Sequence, residues 1–253
     1  MYENISGEAF KKLMTINKRR YREKGVEVFD ILLEGERFIK QAIAFSVAIK
    51  ALYVNEDKLQ DYQALIHLVS CPIYTLYEHQ AHRLTSTMQE QGVFAQVSFE
   101  TKELTDFNRL LYLNDISDPG NLGGILRSAS AFGIDGVVMD EKCVDLSNSK
   151  LVRSSMGAVF SVPMLRVKKD WLAQREEKIF VCHMQTDRDC VSINDFKFPD
   201  EPYILVIGSE AHGVSKYISE LNHTKIYIPM HGDMESLNVS VVAGIFLNKM
   251  SKK

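Results

Sequence analysis

Three polar stretches of this chain have residue types that could do chemistry, and each interrupts or borders an apolar run. Ser236-Leu237-Asn238-Val239-Ser240 opens an apolar C-terminal segment, Asn121 and Arg127 bracket a segment rich in leucine and glycine, and Glu210 lies within Gly208-Ser209-Glu210-Ala211-His212-Gly213. Amides, hydroxyls, one carboxylate and one guanidinium can bind, orient and exchange hydrogen bonds. Read singly, each has a plain structural explanation. Ser236, Asn238 and Ser240 could only cap orphan N–H groups at a helix start, Asn121 could cap another helix, and Arg127 could sit in a surface salt bridge.

Several chemistries are excluded by what the sequence lacks. There is no G-x-G-x-x-G and no G-x-x-x-x-G-K-[ST], which disfavours a Rossmann oxidoreductase and a P-loop enzyme. The cysteines at 71, 143, 182 and 190 have neither metal-ligand spacing nor a disulfide pattern, and the histidines do not cluster with them, so no metal site is expected. His212 is read as a solvated loop residue.

The elements that must position these residues alternate strand and helix. Val26–Leu33, Ile49–Val54, Ile73–Leu76 and Val93–Val97 are predicted strands, with helices at 8–24, around Phe38–Phe45 and at Lys58–Val69. This gives a small α/β domain with a mostly parallel sheet over 1–100. The charged stretch Ser98–Asp106 marks the boundary, and a second α/β domain on a parallel sheet follows over 107–253. Its predicted strands are Leu110–Leu113, Asp135–Met139, Val159–Val162, Ile179–Met184 and Tyr203–Ile207, with helices at Asn121–Phe132, Trp171–Lys178 and Lys216–Leu221. At the C-terminus a strand closed by Pro229 leads into a helix over 238–249, where Val239, Val242, Ala243 and Phe246 fall on one face. The loops Asp115–Arg127, Gly208–Gly213 and Pro229–Asn238 all leave C-terminal ends of strands, where open parallel sheets bind ligands.

Composition frames the partners. The 253 residues are 45% apolar and 25% charged, with no apolar stretch long enough to span a bilayer and no signal core in MYENISGEAFKK. A cytoplasmic protein without a membrane partner is the expectation. The net charge is −3, yet residues 1–24 carry seven basic side chains, among them Lys18, Arg19, Arg20 and Arg22, against three acidic ones. Such a local excess suits a phosphate backbone, although a solvated helix face is the commoner reason for a charge run.

Taken together and in order, the three loops resemble the signature motifs of the SpoU/TrmH family of RNA ribose 2′-O-methyltransferases, within the SPOUT superfamily. The motifs are Asn121-Leu122-Gly123-Gly124-Ile125-Leu126-Arg127-Ser128-Ala129, Ile207–Gly213, and Ile228-Pro229-Met230 continued by Ser236–Ser240. The turn Ser154-Ser155-Met156-Gly157-Ala158 is similar too, and Leu33-Glu34-Gly35 with Leu84–Val93 resembles the family's substrate-binding domain, of ribosomal-protein type. The resemblance implies a C-terminal domain with a deep trefoil knot binding S-adenosylmethionine, a basic N-terminal RNA-binding domain, and a homodimer paired through the knotted domain. Gly208, Gly213, Gly232, Ala243 and Gly244 are small enough for such threading. It further implies cofactor contacts from Gly208, Glu210, Ile228, Pro229, Met230, Ser236, Leu237 and Asn238. Arg127 is implied at the target phosphate and ribose, with Asn121, Glu210, Ser236 and Asn238 positioning the reacting groups, and Lys18, Arg19, Arg20, Arg22 and Arg127 facing RNA. The implied reaction is methyl transfer to a ribose hydroxyl of structured RNA, ribosomal in preference to transfer RNA. A non-catalytic RNA-binding protein and a methyltransferase acting on a base are the rival readings. Asp118-Pro119-Gly120 departs from the lysine or histidine the family often carries before its first motif.

Overall fold

The computed structural model describes residues 2–16, 18–21, 27–86, 90–101, 104, 107–184, 189–210, 212–231 and 236–251, with 18–21 described in backbone only. The chain divides into two compact units, one made of Met1–Glu100 with Leu146–Phe160, the other of Thr101–Asp145 with Ser161–Lys253.

In the first unit the elements run β1 (Glu3–Asn4), α1 (Gly7–Leu13), β2 (Lys18–Tyr21), β3 (Glu27–Glu34), α2 (Glu36–Ala44), β4 (Ala48–Asn55), α3 (Gln63–Ile66), β5 (Ile73–Leu76), α4 (Glu78–Leu84) and β6 (Val93–Glu100). The sheet order is β1-β5-β4-β6-β3-β2. Only the β1–β5 and β4–β5 pairs are parallel, while β6 runs antiparallel to both β3 and β4, and β2 antiparallel to β3. The sheet is therefore mixed rather than mostly parallel, because β6 inserts between two strands that the βα pattern alone would make neighbours.

The single basic helix expected over 8–24 is also corrected. Phe10 and Leu13 are the buried residues of α1, and no apolar residue at Asn17 or Arg20 continues their stripe, so the helix stops and 18–21 pairs with β3 instead. Lys18, Arg19 and Arg20 thus lie on a strand, and Arg22 lies outside the described residues.

The second unit contains β7 (Arg109–Leu113), α5 (Pro119–Ala131) and β8 (Gly136–Met139); after α6 (Ser149–Ser154), which belongs to the first unit, come β9 (Met164–Arg166), β10 (Lys178–His183), β11 (Cys190–Ser192), β12 (Tyr203–Ile207), α7 (Lys216–Ser219), β13 (Thr224–Tyr227) and α8 (Val239–Met250). The sheet order is β11-β13-β10-β12-β7-β8-β9, and every pair is parallel. Every residue of β12 is buried, as are Leu110–Leu113 of β7, the pattern of central strands covered on both faces. Packing of α5 against α8 depends on small residues: a Cβ on Gly124 would stand 3.0 Å from the Ser240 Cβ, and one on Gly244 would stand 3.5 Å from the Ser128 Oγ. No helix among the described residues is long and apolar enough to cross a membrane.

In the first unit α6 and the turn after it pack onto the β3–β6 side of the sheet. Leu151 and Val152 are buried, and the Phe160 ring meets the Phe99 ring edge-on at 5.1 Å. Gly157 has φ +88, and a Cβ there would meet the Phe45 ring at 3.0 Å.

Candidate functional site

The central strands β10, β12 and β7 bring their C-terminal ends to one edge of the second sheet, and the loops leaving that edge carry the polar stretches singled out above. The loop after β12 is the tightest. Ser209 and Gly213 exchange two main-chain hydrogen bonds, of 3.0 and 2.9 Å, and Gly213 takes φ +63. A Cβ on Gly208 would lie 2.2 Å from main-chain atoms of Gly213, so no other residue fits there.

Asp118, with Pro119 behind it at the first helical position, caps α5 by accepting the Asn121 N–H at 2.8 Å. The Asn121 side chain is thereby released from the capping role. Its Nδ2 donates to Glu210 Oε1 at 3.2 Å, and its Oδ1 accepts from Asn238 Nδ2 at 2.9 Å. Asn238 caps α8, accepting from the Ser240 N–H at 2.9 Å and the Ser240 Oγ at 2.6 Å. Glu210 Oε1 also accepts the Val239 N–H, at 2.8 Å, which sets a carboxylate on the positive end of α8. Each amide has one acceptor and one donor side, so the chain of bonds runs one way from Ser240 through Asn238 and Asn121 to Glu210. Asn238 therefore both caps a helix and holds the loop of Asn121, while the neighbouring Val239 N–H holds Glu210.

Beside this chain lies a cleft of about 460 Å³, within the usual size of small-molecule sites. Of the residues expected to touch a cofactor, Gly208, Glu210, Ile228, Met230, Ser236 and Leu237 line it, whereas Pro229 and Asn238 do not. Asn121 is reached only through Glu210 and Asn238. Arg127 does not line the cleft; it lies exposed on α5, six residues past Asn121, or about 9 Å along the helix axis. Among the described residues Arg127 makes no hydrogen bond or ion pair, so the surface salt bridge does not account for it. The loop residues Gly232–Glu235 lie outside the described residues.

The cleft also takes in Cys182, His183 and Met184 from the end of β10, Ser219 from α7 and Val242 from α8. None is expected at the site from the sequence, where Cys182 reads only as a thiol without metal-ligand spacing and Val242 only as part of an apolar helix face. The signal exists, since β10 is itself a predicted strand, but that its end neighbours the β12 loop depends on strand order, which a single sequence does not print. Burial pushes the Cys182 thiol up to about 12, so it stays protonated and non-nucleophilic near neutral pH. Apolar side chains together with the Glu210 carboxylate, the hydroxyls of Ser209, Ser219 and Ser236 and the imidazoles of His183 and His212 suit a ligand with a flat ring and a polar tail, and the volume admits a nucleoside carrying an amino-acid chain.

Residues 108–248 match the model of the SpoU rRNA methylase family, and residues 32–102 match that of the RNA 2′-O ribose methyltransferase substrate-binding domain. The chain is 27% identical to the 23S rRNA (guanosine(2553)-2′-O)-methyltransferase RlmP of Bacillus subtilis, over 97% of this chain and 98% of that protein. It is 32% identical to the 23S rRNA (guanosine-2′-O-)-methyltransferase RlmB of Nitrosomonas europaea, over 79% and 82%. Among solved structures it is similar to the SpoU methyltransferase AviRb of Streptomyces viridochromogenes in complex with AdoMet, with 25% identity, 97% of each chain covered and a TM-score of 0.77.

Proposed function

The chain belongs to the SpoU rRNA methylase family, and from that membership we propose that it methylates a ribose 2′-hydroxyl of a structured RNA, ribosomal rather than transfer. It is an RNA methyltransferase whose cofactor is S-adenosylmethionine. The observation that carries the reading is the one-way hydrogen-bond chain Ser240–Asn238–Asn121–Glu210, which joins three separate loops beside a nucleoside-sized cleft. Two of the relatives cited are named for ribose methylation of 23S rRNA, which supports both the acceptor and the RNA class.

Gly208, Ile228, Met230 and Leu237 would hold the adenosine part, with Glu210 and Ser236 at the polar end. The bound cofactor supplies an electrophilic methyl on a sulfonium. The protein's own contribution is placement, because holding two reactants in register can by itself supply much of the rate. Glu210 fixes the Asn121 amide, and Asn121 and Asn238 fix each other, so the three loops keep one geometry. Arg127, unpaired among the described residues, is free to grip a phosphate of the target nucleotide with its planar fork. A guanidinium is a poor base; its part is to hold the backbone while the hydroxyl proton leaves to a neighbouring acceptor.

In this reading residues 1–100, with Leu146–Phe160 in the same compact unit, form the RNA substrate-binding domain, to which Lys18, Arg19, Arg20 and Arg22 lend positive charge for RNA, and the rest of 107–253 forms the catalytic domain, knotted, paired as a homodimer and working in the cytoplasm. Incubation with methyl-labelled S-adenosylmethionine and total RNA, followed by nucleotide mapping, tests it. A 2′-O-methylated nucleotide in 23S rRNA is expected. Label on a base, or on no RNA, overturns the assignment. Sedimentation of the full chain tests the pairing, and a monomer at all concentrations would reject it.

A further inference from the structure

Both stems of the loop after β12 are fastened to one residue outside the three signature motifs. Asn114 directly follows β7. Its main-chain N–H donates to the Ile207 carbonyl at 2.9 Å, and its side-chain Oδ1 accepts the Ser215 N–H at 2.7 Å. Residues 207 and 215 flank Gly208–Val214, so a single asparagine closes the loop at its base while the Ser209–Gly213 pair closes it nearer the tip.

An amide can present either end, and here a buried acid selects which. Asn114 Nδ2 donates to Asp140 Oδ2 at 2.6 Å, with Asn114 2% and Asp140 6% exposed. Asp140 follows β8 and is filled by donors alone: Asp115 N–H at 3.1 Å on Oδ2, and Lys142 and Cys143 N–H at 3.0 and 3.1 Å on Oδ1. A carboxylate that only accepts must meet the NH₂ side of Asn114, which turns the amide oxygen toward Ser215. We propose that Asn114, oriented by Asp140, is a positioning residue that sets the aperture of the S-adenosylmethionine loop. The inference rests on the functional reading above, which makes Gly208–Val214 a cofactor loop.

Substitution by aspartate converts this geometry into a pH signal. In N114D two carboxyl groups meet at hydrogen-bond distance and can keep the pairing only by sharing a proton, which like-charge repulsion drives off as pH rises. The other groups around the pair do not supply such a signal. The Cys143 thiol is pushed up to about 12, first by burial, and the Tyr112 and Tyr217 hydroxyls are also pushed up, again first by burial. Arg166 donates to the Asp140 carbonyl, and Lys142 pairs with Asp115 at 4.0 Å on the rim.

The test is calorimetric titration of the full chain with S-adenosylmethionine between about pH 6 and 9, a range that brackets a raised carboxyl pKa, with thermal melting of the free protein alongside. N114D should bind near wild-type strength at the acidic end and about ten-fold more weakly at the alkaline end, as expected when the buried Asp140 acceptor loses its donor and faces a second carboxylate instead. The exchange N114D/D140N restores one donor facing one carboxylate but takes the acceptor from the Asp115 N–H, so it should bind more weakly than wild type at every pH and without the pH dependence of N114D. N114L should be weak at every pH. A wild-type chain that binds no S-adenosylmethionine would reject the functional reading itself. Wild-type binding with N114D parallel to it at every pH would reject the role of Asn114 alone.

Discussion

Arg127 is exposed, lacks a hydrogen bond or ion pair among the described residues, and stands away from the cleft. Its removal should therefore leave the cofactor site intact. R127A is expected to abolish methyl transfer while the affinity for S-adenosylmethionine stays within a few-fold, measured by single-turnover assay and calorimetry; loss of both would make Arg127 structural. Glu210 behaves differently because it receives two donors on one oxygen. E210A should lose more activity than E210Q, since glutamine keeps an acceptor for Asn121 and the Val239 N–H while giving up charge at the helix end worth about 0.3–1 kcal/mol. Equal losses would mean that the charge, not the acceptor, matters. The two thiols at about 12, Cys143 and Cys182, should resist iodoacetamide at pH 8 in the native protein and react in urea, read by mass spectrometry. The polar residues were legible because their types are out of place beside apolar runs. Asn114 was not, since one asparagine at a strand end looks like any turn residue until its two partners are seen.

At the scale of the element, the loop after β12 and the α5–α8 crossing are the places without slack. G208A puts a methyl where Gly213 main chain already lies at 2.2 Å, and backbone cannot yield as a flexible side chain can. Binding of S-adenosylmethionine should fall by at least about ten-fold, the scale of a lost buried hydrogen bond, and unchanged calorimetric affinity would show that the loop opens freely. The crossing gives a milder result. G124A meets the Ser240 Cβ at 3.0 Å, an atom that alanine at 240 would keep, so G124A should lower the melting temperature less in an S240G background than in the wild-type chain. Strands proved easier to read than helices, except at Val159–Val162, where the chain makes a 3-10 turn at Ala158–Phe160 and the strand, β9, follows at Met164–Arg166. Ile73–Leu76 and Tyr203–Ile207 stand as predicted, whereas Lys58–Val69 yields only a 3-10 turn at Glu56–Lys58 and α3, and Trp171–Lys178 only a 3-10 turn at Leu172–Gln174. Apolar runs of central strands announce themselves, but a short helix is kept or lost by packing. α4 escaped notice because EHQAHRL buries little besides Gln80 and Ala81. Strand order was hidden altogether, and with it the contribution of His183 and Met184 to the cleft.

For the whole molecule, the informative feature is the route of the chain. It leaves the first unit after Glu100, returns for Leu146–Phe160, and leaves again, so the unit that begins the sequence is finished late. During synthesis at about 5–20 residues per second, the 60 residues between positions 100 and 160 take about 3–12 s to make. Throughout that interval the surface awaiting α6 and Phe160, the Phe99 ring included, has no cover of its own. Nascent chains halted before Leu146 should therefore be cut readily by protease across residues 27–100, and chains extended past Phe160 should resist. Full resistance as soon as residue 100 has emerged would show that the first unit closes alone. A polypeptide whose opening half waits on its middle has a built-in interval of exposure to chaperones, fixed by translation speed rather than by sequence length alone.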